Sequence, residues 1–197
     1  MSSLRLPIKT QVYRLLWAVG SLMLSTSNAS AAELQGYVWL CAERKEMCWW
    51  HKAIVEPPNG WIEDVAWTKR YQAMVMFPDG DHSNSKPIMY VRTHNGDKNQ
   101  SLDEYVSVAQ QRWQAKVTDS TIEPLADFVR ENKPTFKVYL YKNPSQVEQA
   151  FELTAFMKDV DAKHPEQTYF FQIVLSSPSM EEVEKAKPAF FDLLKRL

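Results

Sequence analysis

The sequence predicts an α+β fold in which an antiparallel sheet is packed by helices into an α/β sandwich. Three observations predict this class. Apolar runs of strand length recur between polar loops, two segments carry helix start signals, and the elements follow the order strands, helix, strands, helix. We expect neighbouring strands to pair antiparallel, with the helices gathered on one face of the sheet.

Six segments have the composition of strands. They are residues 52–61, 71–78, 87–94, 135–143, 149–160 and 167–177. The first ends in the proline-glycine turn PPNG at 57–60, and polar loops separate the others. The segment QTYFFQIVLSS at 167–177 is the most apolar, so we expect it at the centre of the sheet.

Two helices are predicted from capping boxes, in which a serine and a glutamate three residues later satisfy each other's free backbone N–H groups. The boxes are Ser101 with Glu104 and Ser179 with Glu182. The first opens a helix over residues 101–116 with a single apolar stripe, and the second opens a terminal helix over 179–196. Pro188 is expected to kink or restart that terminal helix.

Residues 1–31 are predicted to be a secretory signal peptide, which leaves 32–197 as a single domain. A basic start without acids precedes a short apolar run, and Ala29 and Ala31 have the spacing that signal peptidase reads. The run has about 11 to 13 residues, whereas roughly 20 are needed to span a bilayer. An uncleaved membrane anchor is the alternative. The expected location is the periplasm or the secreted fraction.

Composition excludes several function classes. Cleavage after Ala31 would leave 20 basic and 24 acidic side chains, because the leader holds three of the 23 basic ones and no acid. This mildly acidic balance argues against a nucleic-acid-binding protein. The five glycines are too few for a glycine-rich phosphate loop, and no G-x-S-x-G, H-E-x-x-H or Walker motif occurs. We therefore predict that the chain is not an enzyme and that it has no catalytic residue, metal or cofactor. We also predict no stable membrane insertion after signal cleavage.

The two cysteines, Cys41 and Cys48, are predicted to form a disulfide, because an exported protein meets oxidising conditions. A single helix would separate them by about 10.5 Å along its axis, too far for a bond. A hairpin turning at residues 44–45 would place them directly opposite each other. A zinc site that adds His51 has an unusual ligand spacing, and two free thiols are the other alternative.

Three stretches of the chain match parts of a known fold. They are PPNGW at 57–61, SLDEYVSVAQQRW at 101–113 and SPSMEEVEKAKPAFFDLLKRL at 177–197. They resemble, in turn, the early turn, the helix after the first hairpin and the closing helix of the PsbP-like fold, most closely its bacterial periplasmic DcrB-type branch. The resemblance implies an accessory or partner-binding protein and offers no catalytic residues to transfer. The cysteine hairpin lies outside the matched region.

One predicted strand carries a candidate partner-binding surface. Tyr90, Arg92 and His94 alternate along residues 87–94, so all three point to one face. Together these three side chains could bind a carboxylate, a phosphate or the acidic edge of a partner. An ordinary solvent-facing strand surface is the alternative.

A cluster of tryptophans supplies the second candidate surface. Five of them occur within residues 39–67, which is consistent with core packing or with a sugar-binding platform. Trp49 and Trp50 are adjacent and must face opposite sides of a strand, so one of them is expected to be exposed, and both are candidate partner-binding residues. The polar loops 79–85 and 159–166 could hold a cation, but they are expected to be ordinary solvated loops.

These observations predict an exported, non-enzymatic envelope protein that binds another protein. Accessory subunits and immunity-type inhibitors of secreted toxins are the two forms considered, and the expected partner is another envelope or secreted protein. The alternative is a cell-wall carbohydrate-binding module or an exported hydrolase. A catalytic triad or a metal cluster would have favoured this alternative, and neither is visible in the sequence.

Overall fold

The computed structural model describes residues 33–41, 46–79, 87–161 and 163–197, with the backbone alone at residues 39–41 and 46–49. The predicted signal peptide, residues 1–31, lies outside this part of the chain, as does most of the alternative calcium loop at 79–85. No helix in the described ranges is long and apolar enough to cross a membrane.

Ten strands and three helices occur in the described residues. The strands are β1 (Leu34–Cys41), β2 (Glu46–Ala53), β3 (Trp61–Glu63), β4 (Met74–Pro78), β5 (Ile88–Gly96), β6 (Thr121–Pro124), β7 (Phe128–Arg130), β8 (Lys133–Lys142), β9 (Phe151–Val160) and β10 (Thr168–Ser177). The helices are α1 (Val65–Tyr71), α2 (Leu102–Lys116) and α3 (Met180–Arg196). The predicted α+β class is confirmed.

Eight of the strands form one sheet, in the order β3-β4-β5-β10-β9-β8-β6 with β7 paired to β8. The strand pairs are antiparallel, as predicted. β10 is the central strand, and its Gln172 lies between Arg92 of β5 and Phe156 of β9. The most apolar segment of the sequence therefore does occupy the middle of the sheet.

One face of the sheet packs against α3. Phe171 and Ile173 of β10 lie in the same core cluster as Phe190 and Leu194 of α3, and all four are fully buried. The apolar positions of α3 recur every three or four residues, so they form one stripe that this face of the sheet covers. This layer contains the main hydrophobic core.

The opposite face of the sheet is covered by α2. The ring of Tyr105 on α2 stacks on Phe170 of β10 with centroids 4.2 Å apart and planes 2° apart. Phe170 and Phe171 are neighbours on one strand and thus point to opposite faces. The expectation that the helices gather on one face is therefore wrong. Both faces of β10 are apolar, so each face needs a covering layer.

Both helices predicted from capping boxes are confirmed. In α2 the backbone N–H of Glu104 donates to Ser101 Oγ at 3.2 Å, and the N–H of Ser101 donates to Glu104 Oε2 at 2.8 Å. In α3 the N–H of Glu182 donates to Ser179 Oγ at 3.2 Å. Pro188 lies inside α3 without ending it. Short-range hydrogen bonding thus sets where these helices begin.

The strands β1 and β2 pair antiparallel as a separate two-stranded sheet. Cys41 pairs with Glu46 and Cys48 pairs with Trp39, so the two cysteines are not directly opposite each other. The predicted register is wrong by two residues, and the Arg-Lys pair at 44–45 lacks the residue types that favour the two-residue turn on which that register depended. The cysteine side chains lie outside the described part of the structure, so the disulfide remains a prediction.

Candidate functional site

A groove of about 440 Å³ lies between α2 and the face of the sheet that α2 covers. From the sheet it is lined by Tyr90, Arg92, His94, Tyr141, Glu152 and Gln172. From α2 it is lined by Tyr105, Arg112, Trp113 and Lys116, among others. This volume lies within the range of small-molecule sites, roughly 300–1,000 Å³, and the lining combines aromatic rings with charged and polar groups.

The predicted strand surface forms one wall of this groove. Tyr90, Arg92 and His94 share a face of β5, as their alternation predicts, and all three line the groove. The Arg92 guanidinium lies over the ring of Tyr90, 5.5 Å from its centroid. Arg92 is half-buried, so its charge is held at the surface of the groove.

The helix α2 contributes two more cations to the same space. Arg112 and Lys116 are four residues apart and follow Tyr105 along one side of the helix. Arg112 lies close enough to His94 and to Tyr105 for its charge to lower the pKa of both groups, and Arg92 acts on the same two groups. The two guanidiniums, from different elements, therefore converge on one region of the groove.

The surroundings of the groove shift the pKa values of His94 and Tyr105. Although part of the His94 side chain is open to solvent, surrounding protein atoms lower its pKa, and the charges of Arg92 and Arg112 lower it further. His94 is thus neutral at pH 7. Burial raises the pKa of Tyr105 to about 12, so its hydroxyl also stays protonated at pH 7.

Glu152 is a buried acid of the groove that the sequence analysis did not identify. Its carboxyl group lies on β9, and the residue is only 4% exposed. Burial raises the pKa of Glu152 to about 7, against the opposing effects of the Ser176 hydroxyl and the Arg92 charge. Within the predicted strand 149–160, the sequence carries no signal that Glu152 is buried, since its burial depends on neighbours from three other elements.

Hydrogen bonds hold one end of the groove in place. The indole N–H of Trp113 donates to Ser120 Oγ at 3.2 Å and to Asn143 Oδ1 at 3.1 Å. Ser120 Oγ donates to the same Asn143 oxygen at 2.7 Å, and Asn143 Nδ2 donates to the carbonyl of Gln149 at 3.0 Å. This network ties the last turns of α2 to the loop after β8, so this end of the groove has a fixed shape.

Trp50 does not join this surface. Trp50 is 8% exposed and stacks on Tyr37 of β1, with ring centroids 4.8 Å apart. The hydroxyl of Thr93 donates to the carbonyl of His51 on β2, and Thr93 points away from the groove because it alternates with Arg92. Trp50 is therefore buried, because the hairpin packs against the core side of the sheet. The side chain of Trp49 lies outside the described residues.

The loop that follows β9 is the alternative cation site named from the sequence. There the Asp161 carboxylate accepts a hydrogen bond from the backbone N–H of Lys163 at 2.9 Å. His164 Nδ1 lies 3.7 Å from Glu166 Oε1. Within the ranges that the structure describes, no group of three or more His, Cys, Asp or Glu side chains is arranged to hold a metal ion.

Comparison with known proteins assigns no family to this chain. No protein-family model matches the chain, and no curated protein matches it. A functional interpretation therefore depends on the geometry and chemistry of the groove.

Proposed function

We propose that this protein is an exported, non-enzymatic envelope protein that binds another protein through the groove between α2 and the sheet. The observation that carries the proposal is the convergence of Arg92 from β5 with Arg112 and Lys116 from α2 on one open groove. Tyrosine, tryptophan and arginine are the side chains most often found at interface hot spots, and all three types line this groove.

The resemblance to the PsbP-like fold supports the same proposal. That fold occurs mainly in accessory and partner-binding proteins, and the antiparallel sheet with packed helices is compatible with it. An accessory subunit and an immunity-type inhibitor are the two forms we propose. In both, the partner is an envelope or secreted protein that inserts part of its surface under α2.

Capture of partners from an envelope extract tests this function. The wild-type chain should retain a protein that Arg92→Ala loses, because the substitution removes the half-buried cation of the groove. Lys195→Ala is the matched control, since it removes an exposed cation from α3 on the other side of the sheet. Equal retention by all three proteins would reject the groove as the binding surface.

A second candidate function is carbohydrate binding. The rings of Tyr90, Tyr105, Tyr141 and Trp113 line the groove beside amide groups, which is a common composition of sugar sites. Titration with soluble cell-wall fragments, followed by tryptophan fluorescence, tests it. Saturable quenching that Trp113→Phe abolishes would favour this function over protein binding.

A further inference from the structure

The charges around the groove define the chemistry of its occupant. Arg92, Arg112 and Lys116 are cationic, and Glu152 is the one acid among the described residues that line it. Arg92 and Arg112 act on the same imidazole, that of His94, so two like charges face one space. Such an arrangement is favourable when an anion lies between the two guanidiniums.

We propose that the groove takes a glutamate or aspartate side chain of the partner protein, and that this carboxylate binds together with a proton held by Glu152. The inference rests on the proposed function and adds two things to it, namely the chemical group that is recognised and its coupling to pH. A carboxylate matches the planar fork of an arginine and can accept two parallel hydrogen bonds from it.

Glu152 makes the binding proton-linked because of where it lies. It is buried on the sheet side of the groove, and Arg92 is near enough for its charge to stabilise the ionised form. A second carboxylate entering the groove repels an ionised Glu152 and leaves a protonated one undisturbed. The incoming acid therefore favours protonated Glu152, and by reciprocity protonated Glu152 favours the incoming acid.

The two tyrosines that act on Glu152 stay protonated across the relevant pH range. The charged or titratable groups that act on it are Tyr90 and Arg92 from β5 and Tyr141 from β8, while Arg112 and Lys116 from α2 line the same groove. Burial raises the pKa of both tyrosines, so neither ionises near neutrality. His94 is neutral above pH 6, because its pKa is lowered. Between pH 6 and pH 8 Glu152 is the group whose charge changes.

The affinity of the groove for a carboxylate is expected to fall as the pH rises. In the free protein the pKa of Glu152 is about 7, and a bound carboxylate raises it further. Below pH 7 Glu152 is already protonated, so the affinity for the carboxylate is at its maximum. Above pH 7 Glu152 must take up a proton when the carboxylate binds, and this lowers the affinity. Affinity should therefore fall about tenfold between pH 6 and pH 8, since the protonated fraction falls by about that factor.

Two blocked peptides, acetyl-Gly-Glu-Gly-amide and acetyl-Gly-Gln-Gly-amide, provide the probe. In NMR titrations of the mature protein the glutamate peptide should shift the side-chain N–H signals of Arg92 and Arg112, and the glutamine peptide should bind at least tenfold more weakly. Affinity for the glutamate peptide should fall with pH as stated, and Glu152→Gln should hold the pH 6 affinity throughout. Equal binding of the two peptides would overturn the recognition of an acidic side chain.

A measurement on the wild type alone covers the case in which Glu152→Gln does not fold. Calorimetry of the glutamate peptide at pH 7 in two buffers of different ionisation enthalpy should show uptake of about half a proton on binding. Zero uptake would overturn the coupling. If capture of a protein partner depends on Arg92 but is independent of pH, this inference fails while the proposed function stands. If no protein is captured through the groove, the proposed function itself fails.

Discussion

Replacing Glu152 with glutamine should stabilise the protein at high pH and have little effect at low pH. Glu152 is 4% exposed, and its pKa rises from 4.5 to about 7 on folding, mainly because burial disfavours the ionised form. A shift of one pKa unit corresponds to about 1.4 kcal/mol, so ionising Glu152 in the folded state should cost about 3 kcal/mol. Glutamine has nearly the same shape and cannot ionise, so the variant avoids this cost.

Proton binding to Glu152 determines how the free energy of unfolding of the wild-type protein changes with pH. Between pH 4.5 and pH 7 the folded state keeps its proton on Glu152 while the unfolded state loses it, so wild-type stability falls as pH rises through this window. At pH 4 both states are protonated and the contribution is near zero. Above pH 7 both are ionised, and the full penalty of about 3 kcal/mol is reached.

Urea unfolding of both proteins at one-unit steps from pH 4 to pH 8 measures this penalty. Other titrating groups are common to both chains, so they cancel in the difference between the two free energies of unfolding. The free energy of unfolding of Glu152→Gln minus that of the wild type should rise by about 3 kcal/mol between pH 4 and pH 8. Most of this rise should be complete by pH 7. A difference that stays constant within about 0.5 kcal/mol across this range would refute the buried, proton-retaining state of Glu152.

Three further predictions concern the core, the cysteines and the leader. Phe190→Ala should lower the free energy of unfolding by about 3–5 kcal/mol, because the ring is fully buried between α3 and the sheet; a loss below about 1 kcal/mol would mean that α3 docks differently. Thiol titration of non-reduced protein should find Cys41 and Cys48 without a free thiol, and two reactive thiols would exclude the disulfide. Mass spectrometry of the exported protein should place the N-terminus at Ala32 or Glu33, whereas an intact first methionine would indicate an uncleaved anchor.

Local signals explain which elements the sequence could predict. The start of α2 follows from Ser101 and Glu104 alone, since each satisfies a backbone group of the other within four residues. Alternation along β5 likewise places Tyr90, Arg92 and His94 on one face without knowledge of any other strand. In contrast, α1 has only seven residues and contains Trp67 and Tyr71, so it is too short to show a helical period.

Features that depend on distant parts of the chain could not be predicted. Both faces of β10 are buried because α2 covers one and α3 the other, and no pattern within the strand assigns either helix to a face. The burial of Glu152 requires neighbours from β5, β8 and β10. The burial of Trp50 likewise depends on its stacking on Tyr37 and on packing of the hairpin against the sheet. Such outcomes follow from tertiary packing and override local preference.

Site-specific photo-crosslinking tests most directly whether the groove is the binding surface. A benzophenone amino acid in place of Val108, which is 39% exposed and lines the groove, would report on anything that enters beneath α2. The same amino acid in place of Val129, 73% exposed on β7 and outside the groove lining, is the matched control. We expect irradiation of envelope preparations to give a protein adduct from position 108 that disappears when Arg92→Ala is added, and no such adduct from position 129. Adducts that form equally from both positions, or that persist without Arg92, would contradict binding through the groove.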